Sequence, residues 1–566
     1  MSPITQPPLL AWVDKPGARR GVRFLGRDGE WQRYGYDRLG ILARAVAGGL
    51  RERGLRRGDA VAIVQPSGPQ FIASLFGVLL AGGTASPVAP PEAFQDAAVY
   101  AAHVTGVLSS AGVRFVVAAD DLHDGVAPLA RAAGAHATLR ASALLDATPA
   151  WTRRDPAELA LLQFTSGSSG RARAVRVPYA AVAANIAALD AWVLGPGPGA
   201  VASWLPVHHD MGLVGCLLTA VVNQRDLWLM TPEQFIRSPL RYLRCFSGEG
   251  AAAATAMPTF GLDHVVRRVR EDDLSDLDLS GWRSLVIGAE RVDAPTLDRF
   301  HALLAPCGFR RSTFMPAYGL AEATLAVTAV PAHEPPAVVE IASSSVAVGE
   351  PVAIVPEGRP VTSVGVPLPG LAVALVGHDG VRLADGQVGE IVVRGPSVAA
   401  GYARGGGPAS PSLTSFDGGA LHTGDAGFVH DGQVFVLGRL GDSIKVRGRA
   451  VFADDLEDAV HEAGVARLRA AVVLGMDGPT ATALVLVEET RGVDVDEILA
   501  GLSRRVSGVE AVVVRVPRRT IARTSSGKPR RRLLWDGYAS GALGGEVLAS
   551  EALGAVTRKT VAGGAW

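Results

Sequence analysis

Lysine is almost missing from this chain. Of its 55 basic residues only four are lysine, Lys15, Lys445, Lys528 and Lys559, and the rest are arginine. Cysteine is also scarce: Cys216, Cys245 and Cys307 are far apart with no CxxC pair, which excludes a disulfide framework and a cysteine zinc site. Charge of one sign is lacking too, since 55 acidic residues balance the basic ones. A zero net charge argues against a polyanion binder, so nucleic acid is not an expected partner. The first residues lack a basic region followed by an apolar run, so no signal peptide is expected and a cytoplasmic setting follows. One uncharged stretch, residues 70–91, approaches the length of a bilayer span. Its Gly82-Gly83 break and terminal prolines predict instead a buried helix to Leu80, a turn and a strand, so no membrane span is expected.

What is present is a long globular chain: 566 residues, 48% of them hydrophobic. Strand-like apolar runs alternate with helical stretches through the first two-thirds ("GDAVAIVQP", "VRFVVAAD", "SLVIGAE"), the pattern of parallel sheets covered by helices. "LAVALVGHDGVRLADGQVGEIVVRG" reads as strand, turn, strand, which predicts a smaller β-rich section. Beyond residue 440 the character changes. "ADDLEDAVHEAG" predicts a helix opened by acidic residues, a hairpin follows around Asp477-Gly478, and a helix from about Asp494 and the strand "EAVVVRVP" complete an α+β unit. The expected fold is therefore α/β, with a large domain over 1–440 (two α/β sheets and a β-rich subdomain) and a small α+β domain over 441–566. "GPGPG" (195–199) and "ARGGGPASPS" (403–412) read as mobile loops.

Chemistry concentrates in six motifs. "LLQFTSGSSGRARAV" (161–175) runs from a strand into a Thr/Ser/Gly loop whose amides and hydroxyls can turn toward phosphate oxygens, although such a loop taken alone is usually a surface linker. It lacks the Gly-Lys-Ser/Thr ending of a Walker A loop. "WLPVHHDMGLVG" (204–215), "GAERV" (288–292), "MPAYGLAEATLAV" (315–327), "HTGDAGFVHDGQVFVLGRLGDSIKVRGR" (422–449) and "RTSSGKPRRR" (523–532) follow in that order. His208-His209-Asp210 lacks a third ligand at usable spacing and does not read as a metal site.

Together these motifs resemble the adenylate-forming superfamily of acyl-CoA synthetases, nonribosomal adenylation domains and luciferases, over nearly the whole chain. "LPVHHDMGLVG", "APCGFRRSTFMPAYGLAEATLAV" and "GEIVVRGPSVAAGY" (389–402) are most similar to the fatty acyl-AMP ligases. Residues 334–370 stand where those ligases carry an inserted segment that is thought to hinder the domain movement needed to use free coenzyme A. The resemblance implies ATP-dependent conversion of a hydrophobic, fatty-type carboxylic acid to acyl-AMP with loss of pyrophosphate. Transfer to the phosphopantetheine thiol of an acyl carrier protein would follow, in a natural-product setting. Alternatives are an acyl-CoA ligase, an adenylating half-enzyme finished by a partner, and, from another class, a non-catalytic nucleotide- or acyl-binding protein.

The resemblance also implies roles. Thr165, Ser166, Gly167, Ser168, Ser169 and Gly170 would hold the β- and γ-phosphates with Arg173, and Glu322 would ligate Mg²⁺, a hard cation suited to a carboxylate. Gly288, Ala289, Glu290, Tyr318 and Gly319 would bracket the adenine, Asp425 and Arg439 would hold the ribose, and His209 would face the acyl carboxylate. Asp442 matches the hinge on which the small domain pivots. Lys445 fits a family position and a plain surface cation equally well. Three positions depart from the family pattern: Ala172-Arg173-Ala174 where Pro-Lys-Gly is usual, Gly441 where Lys often precedes the hinge, and Ala453 for a usual Pro.

Lys528 is the implied catalytic cation, swung on the loop 523–532 into the cleft to bridge the acyl carboxylate and the α-phosphate. An ammonium is a compact charge with three rotatable donors, whereas a guanidinium is wide and planar. That accounts for a lysine in an arginine-rich loop. The flanking arginines are expected only to be positive and to face phosphate or solvent.

Overall fold

The computed structural model describes residues 8–91, 97–165, 173–195, 199–343, 346–403, 413–446, 449–489, 493–524 and 527–554. The phosphate-loop residues Ser166–Gly170 and most of the two expected mobile loops lie outside the described residues.

Two helix-covered sheets dominate, as the alternating pattern predicts. One has six strands in the order Ala137–Arg140, Phe115–Ala118, Ala60–Val64, Thr84–Val88, Leu159–Phe164, Ala174–Pro178, parallel except for the last. The other has nine, with a parallel centre built from Phe314–Gly319, Ser284–Ile287, Ala252–Met257, Ala200–Ser203, Leu227–Leu229 and Gly21–Leu25 and with antiparallel edges. Strands such as "AVAIV" are buried at every residue because helices cover both faces.

The uncharged stretch 70–91 behaves as its breakers predict: helix Pro69–Leu80, a turn at Gly82, and the buried strand Thr84–Val88. The helix packs against helix Tyr36–Glu52 so closely that a Cβ on Gly77 would lie 2.5 Å from Val46 Cβ. Among the described residues no helix is long and apolar enough to cross a membrane.

The β-rich section is a five-stranded antiparallel sheet of Ala372–Val376, Gly389–Arg394, Ala420–His430, Ser415–Asp417 and Gln433–Arg439. Within 334–370, strands Val338–Ile341 and Arg359–Thr362 pair as a small ribbon, and Val366–Pro367 joins the edge of the nine-stranded sheet. After Asp442 comes a four-stranded sheet of Ala470–Asp477, Thr480–Glu488, Glu510–Val516 and Glu546–Ala552. Helices Ala453–Glu462 and Val495–Arg505 cover one face and Arg531–Ala539 the other, giving two apolar clusters drawn only from this part of the chain. Phe452 departs from a clean boundary at 440, because it is buried in the core of the β-rich section.

Candidate active site

A cavity of about 340 Å³ opens where the parallel strands of the nine-stranded sheet end and the last part of the chain closes over them. Ligands of open α/β sheets bind at those carboxyl ends. The described residues to which the resemblance gives a site or hinge role line it: Thr165, Arg173, His209, Gly288, Ala289, Glu290, Tyr318, Gly319, Glu322, Asp425, Arg439, Asp442 and Lys528; Lys445 does not.

The pair Asp425 and Arg439 is a product of register. Strands Ala420–His430 and Gln433–Arg439 form a hairpin in which these residues face each other, and the register shifts by one just before them. Gly438 adopts φ +147°, and a Cβ there would press on Phe452 at 2.8 Å, so glycine permits the bulge that brings Arg439 opposite Asp425. Arg439 Nε donates to Asp425 Oδ1 at 3.1 Å and the Tyr318 hydroxyl donates to Oδ2 at 2.6 Å. Burial, then the Asp425 charge, holds the Tyr318 phenol well above its ordinary pKa, so it stays a donor.

Strand Ser284–Ile287 ends in Gly288, Ala289 and Glu290. Ala289 has φ +68° and Thr324, just past Glu322, has φ +71°, left-handed values that cost a non-glycine residue about 1–3 kcal/mol. Two strained residues thus flank one cavity, with Thr324 fully buried and its hydroxyl donating to the Ser397 carbonyl at 2.6 Å. Crowding by protein raises the Glu290 carboxyl to about 7, against the opposing pull of Arg467 and Lys528.

Glu322 is buried at 4% exposure. Tyr402 donates its hydroxyl to Glu322 Oε1 at 2.5 Å and accepts from Arg173 at 2.6 Å, with the guanidinium carbon 3.7 Å from the Tyr402 ring centre. Arg173 itself stops 3.8 Å from Oε1. Thr165 and Arg173 are tied together: Thr165 N donates to the Arg173 carbonyl at 3.0 Å and Arg173 N to Thr165 Oγ1 at 3.2 Å. No described group of three or more His, Cys, Asp or Glu side chains is arranged to hold a metal ion. A single buried carboxylate facing the cavity fits a Mg²⁺ that takes its other ligands from phosphates and water.

His209 Nδ1 lies 2.7 Å from Asp210 Oδ1, and Asp210 also accepts from Met211 N at 2.8 Å, where a wide π-helical segment Met211–Leu218 begins. Burial alone would raise the Asp210 carboxyl, but His209, the Met211 amide and the Lys528 charge together hold it below its ordinary value. Enclosure, then His209 and His103, pushes His208 down to about 3, so His208 is neutral. Leu189, Val193, Val201, Cys216, Ala254 and Val286 give the cavity apolar walls as well.

Lys528 is exposed and lines the cavity. Its loop is closed by Thr524 N to the Lys528 carbonyl (2.8 Å) and Lys528 N to Thr524 Oγ1 (3.1 Å). The neighbouring arginines differ from the sequence expectation. Arg531 points inward, reaching Asp442 at 3.0 Å, Asp454 at 2.5 Å and Glu457 at 2.9 Å, and its Nε donates to the Val472 carbonyl. Arg523 donates to the carbonyls of Gly527, Arg467 and Ala470. Both hold backbone carbonyls or carboxylates and both also line the cavity. Tyr402 and Arg531 were not read as site residues: Tyr402 closes a motif quoted only for its likeness, and Arg531 is one of three consecutive arginines that look alike in sequence.

A second ionic run borders the cavity through Arg291, Asp458 and Arg467. Asp455 pairs with Arg291 and with Arg359 of the 334–370 segment, Arg291 lies 3.3 Å from Asp458, and Arg467 lies 3.1 Å from Asp293. Ala450 N donates to the Val346 carbonyl at 3.0 Å, a further tie to that segment. Burial pushes Arg359 down to about 10 and Asp458 up to about 6, in the latter case against Arg291 and Arg467.

The model of the AMP-binding enzyme family matches residues 11–403. The chain is 31% identical to a 4-hydroxyphenylalkanoate adenylyltransferase of Mycobacterium marinum, over 86% of this chain and 83% of that protein. It is 29% identical to the medium-chain-fatty-acid–[acyl-carrier-protein] ligase JamA of Moorena producens, over 91% of each. A solved structure from work on fatty acyl-adenylate ligases of E. coli and L. pneumophila superposes with a TM-score of 0.84 at 28% identity, covering 95% of this chain and 99% of that one. This chain therefore belongs to the AMP-binding enzyme family and is an adenylate-forming ligase.

Proposed function

We propose that this ligase activates a hydrophobic, fatty-type carboxylic acid as acyl-AMP and passes the acyl group to the phosphopantetheine thiol of a carrier protein. The observation that carries the reading is that one cavity is lined both by Lys528, Glu322, His209 and the Asp425–Arg439 pair and by apolar side chains such as Leu189, Val193, Val201 and Val286. An acid carboxylate oxygen attacks the α-phosphorus of ATP, the bond to the bridging oxygen breaks, and pyrophosphate leaves. Negative charge crowds that transition state, so catalysis rests on positioning and fixed positive charge. Lys528 bridges the acyl carboxylate and the α-phosphate. His209, steadied by Asp210, faces the carboxylate, and Asp425, fixed by Arg439 and Tyr318, accepts the ribose hydroxyls. Mg²⁺, held by Glu322, would supply neutralising charge to the phosphates. Ser166–Gly170 complete the phosphate site in this reading.

The carrier-protein acceptor draws support from JamA, which is named for it, and from the ties between segment 334–370 and the part of the chain beyond Asp442. Those ties oppose the pivoting at Asp442 that free coenzyme A would require. Carboxylate-dependent ATP–pyrophosphate exchange across a panel of acids tests the adenylation. Exchange with medium- to long-chain fatty acids is expected, and none with any acid would leave a binding protein. Supplying coenzyme A and a holo carrier protein in turn tests the acceptor, and efficient acyl-CoA formation would refute the role given to 334–370.

A further inference from the structure

The geometry points to Glu390 as a positioning residue for Asp425: its carboxylate holds the bulge that turns Asp425 into the cleft. This rests on the reading above, in which Asp425 accepts the ribose hydroxyls. In the antiparallel pair Gly389–Arg394 and Ala420–His430, Glu390 stands opposite Ala426 and Val392 opposite His422. Thr423, Gly424 and Asp425 are therefore set against the single residue Ile391, and the regular ladder is interrupted there. Backbone amides withdrawn from a ladder need other acceptors, and here side chains supply them. Asp425 N donates to Thr423 Oγ1 at 3.1 Å, and the Thr423 hydroxyl donates to the Ile391 carbonyl at 2.7 Å. Gly424, at φ +72°, turns its N–H to Glu390 Oε1 at 2.9 Å. The other carboxylate oxygen lies 3.3 Å from His422 Nδ1, and because a carboxylate only accepts, that nitrogen carries the hydrogen. Glu390 thus grips the bulge at two points, one of them a charge-assisted bond to its central amide. Asp425 lines the cavity and Glu390 does not, so Glu390 acts on the nucleotide site only through the backbone it holds. Without that acceptor the bulge would relax toward regular pairing, and a slip of one residue sends a strand side chain to the opposite face. Asp425 would then leave Arg439 and Tyr318, which fix it now at 3.1 and 2.6 Å.

The test is the binding of ATP and of 2′,3′-dideoxy-ATP to the full chain, measured by calorimetry. Wild-type protein should prefer ATP by roughly ten- to hundredfold, the scale of hydrogen bonds from the ribose hydroxyls to a charged acceptor. Glu390→Ala should bring ATP binding down to the level of the dideoxy analogue, while binding of the analogue stays within about twofold of wild type. Glu390→Gln keeps a carbonyl acceptor for Gly424 N and should restore most of the preference. A preference that survives in Glu390→Ala would overturn the proposal, and so would an equal loss for both nucleotides, the mark of a merely structural role. A Gln variant no better than the Ala variant would overturn it as well. Should Glu390→Ala fail to fold, Glu390→Asp decides: the carboxylate remains but falls one methylene short of Gly424 N. Its preference should drop several-fold with dideoxy binding unchanged, and an unaltered preference overturns the proposal. Wild-type protein that binds the two nucleotides alike would instead overturn the ribose role of Asp425 beneath it.

Discussion

Two arginine–carboxylate clusters flank the helix Ala453–Glu462, and they do opposite jobs. On one side Arg531 gathers Asp442, Asp454 and Glu457, all from the last part of the chain, and so ties the segment that carries Lys528 to its own platform. On the other side Asp455 and Asp458 reach out of that part to Arg291 and Arg359. The first cluster fixes where the lysine loop sits on the small unit. The second fixes where the unit sits over the cleft. Breaking the first should cost fold and catalysis together, and breaking the second should release movement with little cost to adenylation.

The largest effect should follow from Arg531→Ala. It leaves three carboxylates facing one another without their cation, and removing one partner of a buried pair costs about 3–5 kcal/mol. Urea unfolding of the last part of the chain, followed by the fluorescence of Trp535, checks it. Lys528→Arg keeps the charge but not the compact, rotatable donor. Adenylation measured by pyrophosphate exchange should fall by about 10²–10³ while ATP binding by calorimetry persists, and near-normal exchange would undo the role given to this lysine.

A third expectation concerns pH. The folded Glu290 carboxyl titrates near 7 against an ordinary value of 4.5, so between those values the folded state holds a proton that the unfolded chain has released. Stability from this group is full below about pH 4.5 and declines until about pH 7. Glu290→Gln should remove a decline on the order of 2 kcal/mol, measured as denaturation midpoints at pH 5 and pH 8. The smallest effect belongs to the outward cluster. Arg359→Gln leaves Asp455 its pairing with Arg291, and it should raise acyl-CoA formation from free coenzyme A roughly tenfold, about 1.4 kcal/mol, with pyrophosphate exchange unchanged. Chromatographic assay of acyl-CoA checks this, and an unchanged yield would show that the tie to 334–370 does not restrain the unit.

Much of the fold was legible because its signals are local. The helix at Ala453–Glu462, the hairpin at Asp477-Gly478 and the helix capped by Asp494 are set by residues a few positions apart. The strand Glu546–Ala552 was not read, because a half-exposed edge strand carries no clear alternation of buried and exposed residues. Among the site residues, Asp425 and Arg439 lie close enough in sequence to be read as one motif, and the hairpin brings them together. Tyr402 and Glu322 lie 80 positions apart, and nothing local connects them.

By itself the sequence determined the order of strands and helices, the family to which the chain belongs and the choice of lysine at position 528, since these rest on periodicity, motif order and the shape of one side chain. Only the tertiary structure decided which of four similar arginines turn inward, which carboxylates they neutralise and that Tyr402 stands between Arg173 and Glu322. Charge is written in sequence, but its partner is set by distance, and distance is fixed only when separated segments pack.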